Sequence, residues 1–126
     1  MDNLIALFGL RIFIVRGLQM TYLAWLIFVG AAVLEVGGDA VVRKGLRGSS
    51  LIIILIGFAM LGSYGVVVNT VKWDFSKLLG VYVAIFAIIS ILFGRFVFEE
   101  NIPTTTWIGL MVIVCGGMII QFGERI

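Results

Sequence analysis

Histidine is missing from the 126 residues, and cysteine and proline occur once each. Without imidazole there is no side chain that ordinarily titrates near neutral pH, and no nitrogen ligand of the commonest kind for a metal. The lone Cys115 cannot close a disulfide within the chain. Charge is scarce as well, with nine Lys and Arg and seven Asp and Glu making 13% of the residues against 62% hydrophobic. That is too little polar surface to coat a water-soluble globule. No phosphate-cradling loop, nucleophile triad or metal motif is present, so neither an enzyme nor a cofactor is expected, nor a nucleic-acid partner. The composition is that of an integral membrane protein, and any proton chemistry falls to carboxylates.

What is present is four long apolar runs. A helix crossing a bilayer needs about 20 mostly apolar residues, and the clusters of charged and loop residues divide the chain into spans at 22–42, 51–71, 78–98 and 104–122. Basic residues Arg43, Lys44 and Arg47 close the first span, Lys72 to Lys77 the second, and Glu99 to Pro103 the third. Thr104 and its neighbours are candidates to cap the fourth. None of the runs alternates with period two, which excludes a small barrel and leaves an all-α, four-helix membrane domain over 20–126.

Residues 1–19 form an N-terminal extension in which Arg11 and Arg16 interrupt the apolar run about 140° apart on a helical wheel. The segment neither spans cleanly nor makes a tidy amphipathic face, and no small-residue cleavage site marks it as a signal peptide. It is either an interfacial helix or docking arm, or a non-native start preceding the natural one at Met20. Lys and Arg are spread almost evenly over the two sides of the membrane. Arg11, Arg16, Lys72, Lys77 and Arg125 share one side, Arg43, Lys44, Arg47 and Arg95 the other. With no positive-inside preference the chain is free to insert in both directions. Two opposed copies would then pair as an antiparallel homodimer, which also gives four short helices something to enclose.

Glu35 sits in the middle of the first span. A charge at the bilayer centre costs roughly 2.5–3.5 kcal/mol on lenient insertion scales, so an ionisable group there marks an ion or substrate path by default. Ala31, Ala32 and Gly38 flank it on the same helical face, leaving room for a cation. Desolvation disfavours the charged form of any carboxyl group, so a proton and a cationic ligand would compete for this one. The plainer alternative is a protonated Glu35 that only hydrogen-bonds helix to helix. Asp39 lies one turn further on and Arg43 another turn after it. They form either a proton ladder from pocket to water or a simple pair in which Arg43 snorkels to the interface. Arg95 and Glu99 repeat the same spacing and read as a snorkelling pair. Trp25, Trp73 and Trp107 fall near span ends, where tryptophan anchors to the interface. Tyr64 and Tyr82 lie deeper, and a buried tyrosine hydroxyl needs a partner such as a membrane carboxylate. Ser63 either lines the same pocket or bonds its own backbone.

These residues carry a family likeness over residues 20–122. Gly30-Ala31-Ala32-Val33-Leu34-Glu35-Val36-Gly37-Gly38 resembles the first-helix motif of the small multidrug resistance transporters, four-helix members of the drug/metabolite transporter superfamily. Ser63-Tyr64 followed by Asn69-Thr70 is similar to a second-helix motif of that family. Gly109 and Gly116, seven apart in the fourth span, resemble its dimer motif. Gly80-Val81-Tyr82-Val83 and Thr106-Trp107-Ile108-Gly109 look like the YnfA-type branch of the superfamily. The sequence departs from typical exporters at Phe86, where tryptophan is expected, at Ala87-Ile88-Ile89-Ser90, which replaces a glycine-rich hinge, and at Asp39, where the family has a neutral residue.

The resemblance implies a proton-coupled exporter of small organic or hydrophobic cations in the cell membrane. Glu35 would bind proton and substrate in turn, Tyr82 and Ser63 would line the site, and Gly109 and Gly116 would meet a second copy; Asp39 joins the candidate site by its position one turn from Glu35, not by the resemblance. Two other functions fit the same residues. One is a non-transporting subunit of a larger membrane complex. The other is a lipid-carrier flippase, with Arg43, Lys44 and Arg47 holding an anionic headgroup.

Overall fold

In the computed structural model, residues 2–123 are described, save for the side chains of residues 13–20, so Arg16 and the tail that carries Arg125 lie outside the described residues. The chain forms four helices: α1 Asp2–Arg47, α2 Leu51–Val68, α3 Phe75–Phe96 and α4 Thr104–Phe122. Each contains a stretch long and apolar enough to cross a membrane, which in α1 is Thr21–Arg47. No strand occurs among the described residues.

Local chemistry sets the helix ends. Helix α1 runs five residues beyond the expected boundary and stops in a Schellman-type turn. Ser49 takes a left-handed φ of 54°, and the Ser50 amide returns to the Gly45 carbonyl at 2.9 Å. Ser50 then caps α2 by accepting from the Ile53 amide. Helix α2 ends at Val68, three residues short of the expected end, because Asn69 and Thr70 turn back on it. The Asn69 Nδ2 donates to the Gly65 carbonyl at 2.7 Å and the Thr70 hydroxyl to the Val67 carbonyl at 2.6 Å. Both carbonyls also accept backbone amides, from Asn69 and Thr70 respectively, so side chain and main chain together close the end of α2. Helix α3 starts and ends earlier than the expected 78–98. Helix α4 has the expected bounds, but Pro103 and not a threonine holds its cap position.

The helices lie as an open row. Helix α1 packs against α2 on one side and α3 on the other, and α4 packs on α3; among the described residues no other pair of helices comes close backbone to backbone. The buried core sits on the α1–α3 seam around Phe28, Ala31, Ala32, Val81 and Tyr82, with Val68 and Val71 closing it from the end of α2. Close approach on the other seams comes from glycine. A Cβ at Gly57 would stand 2.5 Å from Val42 Cγ2 and 3.0 Å from the Gly38 carbonyl oxygen, and one at Gly117 would stand 2.8 Å from Ala84 Cβ. Without a hydrophobic drive between helices in lipid, such van der Waals contact is what holds them together. Gly38 belongs to this packing too. The space its missing Cβ leaves is taken by Leu61 and Met60 of α2, so it does not open a cavity beside Glu35 as the spacing suggested.

Gly57→Val should therefore separate α1 from α2 and cost about 1–3 kcal/mol, the usual range for overpacking. Gly62→Ala, whose Cβ would meet nothing within 4 Å, should be neutral or slightly stabilising. Thermal unfolding in detergent compares the two, and equal shifts would contradict this account of the seam.

Candidate functional site

Glu35 lies near the middle of the membrane part of α1, half-buried. Across the α1–α3 seam the Tyr82 hydroxyl donates to Glu35 Oε2 at 2.6 Å. Tyr82 is buried, and three rings pack on it: Phe28 edge-on at 6.0 Å between centroids, Phe86 tilted at 6.5 Å, and Tyr64 of α2 stacked at 6.0 Å. The Tyr64 hydroxyl is within electrostatic reach of Glu35 and Asp39. The ring packing fixes the phenol before the hydrogen bond forms, so the donor is preorganised toward the carboxyl.

Behind Tyr82 the aromatic packing continues. Phe28 meets Trp73 edge-to-face at 5.2 Å, and Trp25 meets both Phe28 and Trp73. Lys77 places its Nζ 5.1 Å from the centre of the Trp73 ring. Trp25 and Trp73 are thus half-buried and packed against the core, a role their positions near the span ends did not suggest. Trp107 keeps an exposed face. Phe28 went unnoticed in the sequence because the first span is rich in large apolar residues. Its spacing of seven from Glu35, two turns on the same face, was the available signal.

Asp39 is exposed, one turn along α1 from Glu35, and lines a cavity of about 200 Å³ between α1 and the C-terminal end of α3. Its expected partner is engaged elsewhere. Arg43 pairs with Glu100 at 3.9 Å and lies 5.4 Å over the Phe98 ring, because the turn after α3 carries both residues back against α1. Glu100 reaches that place by tucking its carboxyl into the gap left by the missing Cβ of Gly94. The expected Arg95–Glu99 pair is also missing among the described residues, and Glu99 sits instead in a left-handed turn with φ 54°. Ser63 points away from the Glu35 cluster within this chain. It is exposed, and its hydroxyl donates to the Ala59 carbonyl of its own helix at 2.7 Å. A Cβ at either Gly109 or Gly116 would meet nothing within 4 Å, so neither glycine is used for close packing within the chain. Among the described residues no group of His, Cys, Asp and Glu is placed to hold a metal ion.

The arrangement brings together one carboxyl and one fixed phenol donor inside an apolar seam, with Tyr64 close by and Asp39 one turn away. Chemically it can hold a proton or a cation at Glu35.

Comparison with known sequences agrees with a membrane location. A family described as "Uncharacterised BCR, YnfA/UPF0060 family" matches residues 21–126, so the YnfA-type likeness extends over all four spans and not the third and fourth alone. A UPF0060 membrane protein of Staphylococcus carnosus is 34% identical over 103 residues, covering 79% of this chain and 94% of that protein. One from Rippkaea orientalis is 30% identical over 103 residues, covering 79% and 93%, and one from a Synechocystis strain is 29% identical over 101 residues, covering 79% and 94%. No solved structure matches the chain. Four apolar helices and relatives named as membrane proteins place it in the cell membrane as a multi-pass protein. With a match that takes in every one of those helices' membrane portions, the chain belongs to the YnfA/UPF0060 family.

Proposed function

We propose that the protein exchanges protons for small organic cations across the membrane, as an antiparallel homodimer whose two Glu35 carboxyls share a central cavity. The observation that carries this reading is the hydrogen bond from Tyr82 to Glu35 inside the α1–α3 seam. The bond holds the carboxyl against a fixed donor in surroundings that offer few other polar partners. Tyr82 engages Oε2 and the Tyr64 hydroxyl lies close by, and a proton and a positive guest would exclude each other at the same carboxyl. Alternating occupancy of that kind is the minimum needed for coupled exchange.

Further support comes from the likeness to small multidrug resistance transporters around Glu35. The open row of helices also supports a second copy, since α4 packs on α3 alone among the described residues, and a Cβ at Gly109 or Gly116 would meet nothing within 4 Å. The near-even split of Lys and Arg suits opposed insertion.

One observation favours a second reading, a non-transporting subunit of a larger complex. Helix α1 continues back to residue 2, outside the family match, with Leu4, Leu7 and Phe8 exposed as a ridge that another membrane protein could cover. Stoichiometric co-purification of other subunits would favour that role, and a self-contained dimer would favour transport.

In liposomes under a pH gradient, uptake of quaternary ammonium or guanidinium compounds should fall to background for Glu35→Gln; uptake equal to wild type would refute the exchange mechanism. Tyr82→Phe removes the donor but keeps the ring packing. It should lower the initial rate about tenfold, the kinetic equivalent of one such hydrogen bond, with thermal stability nearly retained. An unchanged rate would mean that the phenol does not tune the carboxyl.

A further inference from the structure

The cavity one turn from Glu35 is chemically distinct from the Glu35–Tyr82 pair. Its polar lining consists of Asp39, Arg43, Ser90 and Glu100, set among rings that include Phe86 and Phe98. Two carboxylates face one guanidinium, which leaves one negative charge unmatched. The Ser90 hydroxyl donates to the Ala87 carbonyl of its own helix at 3.0 Å, so it offers the cavity only acceptor lone pairs. Acceptors therefore outnumber donors, and Arg43 alone among these four side chains brings N–H groups.

We propose that this cavity is a vestibular binding site for small organic cations bearing N–H groups, guanidinium and alkylammonium ions, and that Arg43 is its built-in competitor. The protein displays the mode of recognition within itself. The Arg43 guanidinium lies over the Phe98 ring and beside the Glu100 carboxylate, the two contacts by which a planar cation is held. Arg43 is held loosely. Its pair with Glu100 is 3.9 Å long with both side chains about half exposed, at 50% and 48%. An exposed pair of that kind is worth about 0–1 kcal/mol, so a free cation that also engages Asp39 and Ser90 can displace it. A volume of about 200 Å³ admits methylguanidinium. Phe86 forms one wall and touches the Tyr82 ring, so the site adjoins the Glu35 carboxyl without including it. Its role as an antechamber for exchange rests on the function proposed above; its binding does not.

The test is calorimetric titration of the purified full-length Glu35→Gln protein with methylguanidinium, which removes the central carboxyl from the measurement. One binding event per chain is expected to persist. Adding Asp39→Asn should weaken it about fivefold or more, and adding Arg43→Ala should tighten it about threefold, as loss of a partner and loss of a competitor require. Should Arg43→Ala fail to fold, Arg43→Lys, which keeps the charge without the planar face, should also tighten binding. Tetramethylammonium, which has no N–H to give, should bind several-fold more weakly than methylguanidinium. The proposal is overturned if Glu35→Gln alone abolishes binding, an outcome that leaves the central-carboxyl reading intact. It is equally overturned if the Asp39 and Arg43 substitutions leave the affinity unchanged. Persistent, Asp39-dependent binding in a protein whose transport ignores Glu35 would support the vestibule and refute the exchange mechanism.

Discussion

A single hydrogen bond, from the Tyr82 hydroxyl to the Glu35 carboxyl at 2.6 Å, is the constraint around which the chain is arranged. A carboxyl in a bilayer-long apolar helix is costly by itself and becomes tolerable only beside a fixed donor. The donor must come from another helix, which requires α1 and α3 to stay in register and the phenol to keep one orientation. Phe28, Phe86 and Tyr64 supply that orientation from three directions. Ala31 and Ala32, fully buried, lie at the same level of α1 as the seam on which Tyr82 packs.

The remaining helices serve this seam and at the same time leave it incomplete. Helix α2 closes on α1 through glycine-mediated contact, and α4 does the same to α3 at Gly117. Helices α2 and α4 do not meet, and the Glu35 side chain is left partly exposed. Partial cover next to a short hydrogen bond is compatible with the exchange of ligands proposed above.

Much of this was readable from the residues. Four apolar runs of bilayer length gave the number of helices, and Glu35 stood out as a charge in the middle of one of them. Tyr82 could be paired with it because a buried phenol has few partners available in lipid. Features that depend on chain return were not readable. The i, i+4 rule pairs Arg43 with Asp39, yet the turn after α3 brings Glu100 and Phe98 to the same guanidinium. Similarly, Trp25 and Trp73 read as interfacial anchors because position along a span says nothing of the ring on a neighbouring element. The small residues near Glu35 suggested an opening, but glycine serves close helix contact as readily as a cavity, and only the placement of Leu61 against Gly38 decides which. Helix ends missed by a few residues trace to side chains such as Asn69 and Thr70, which turn back on carbonyls of the helix they follow.

The account turns on competition between H⁺ and a cation at one carboxyl. Proton release on ligand binding measures that competition without requiring transport. Purified protein in weakly buffered detergent, at a pH where the carboxyl is protonated, is mixed with a saturating quaternary ammonium ion and followed with a pH indicator. Release of protons from wild type and none from Glu35→Gln is the predicted result. Binding by wild type with no proton released, or equal release from both proteins, would contradict it.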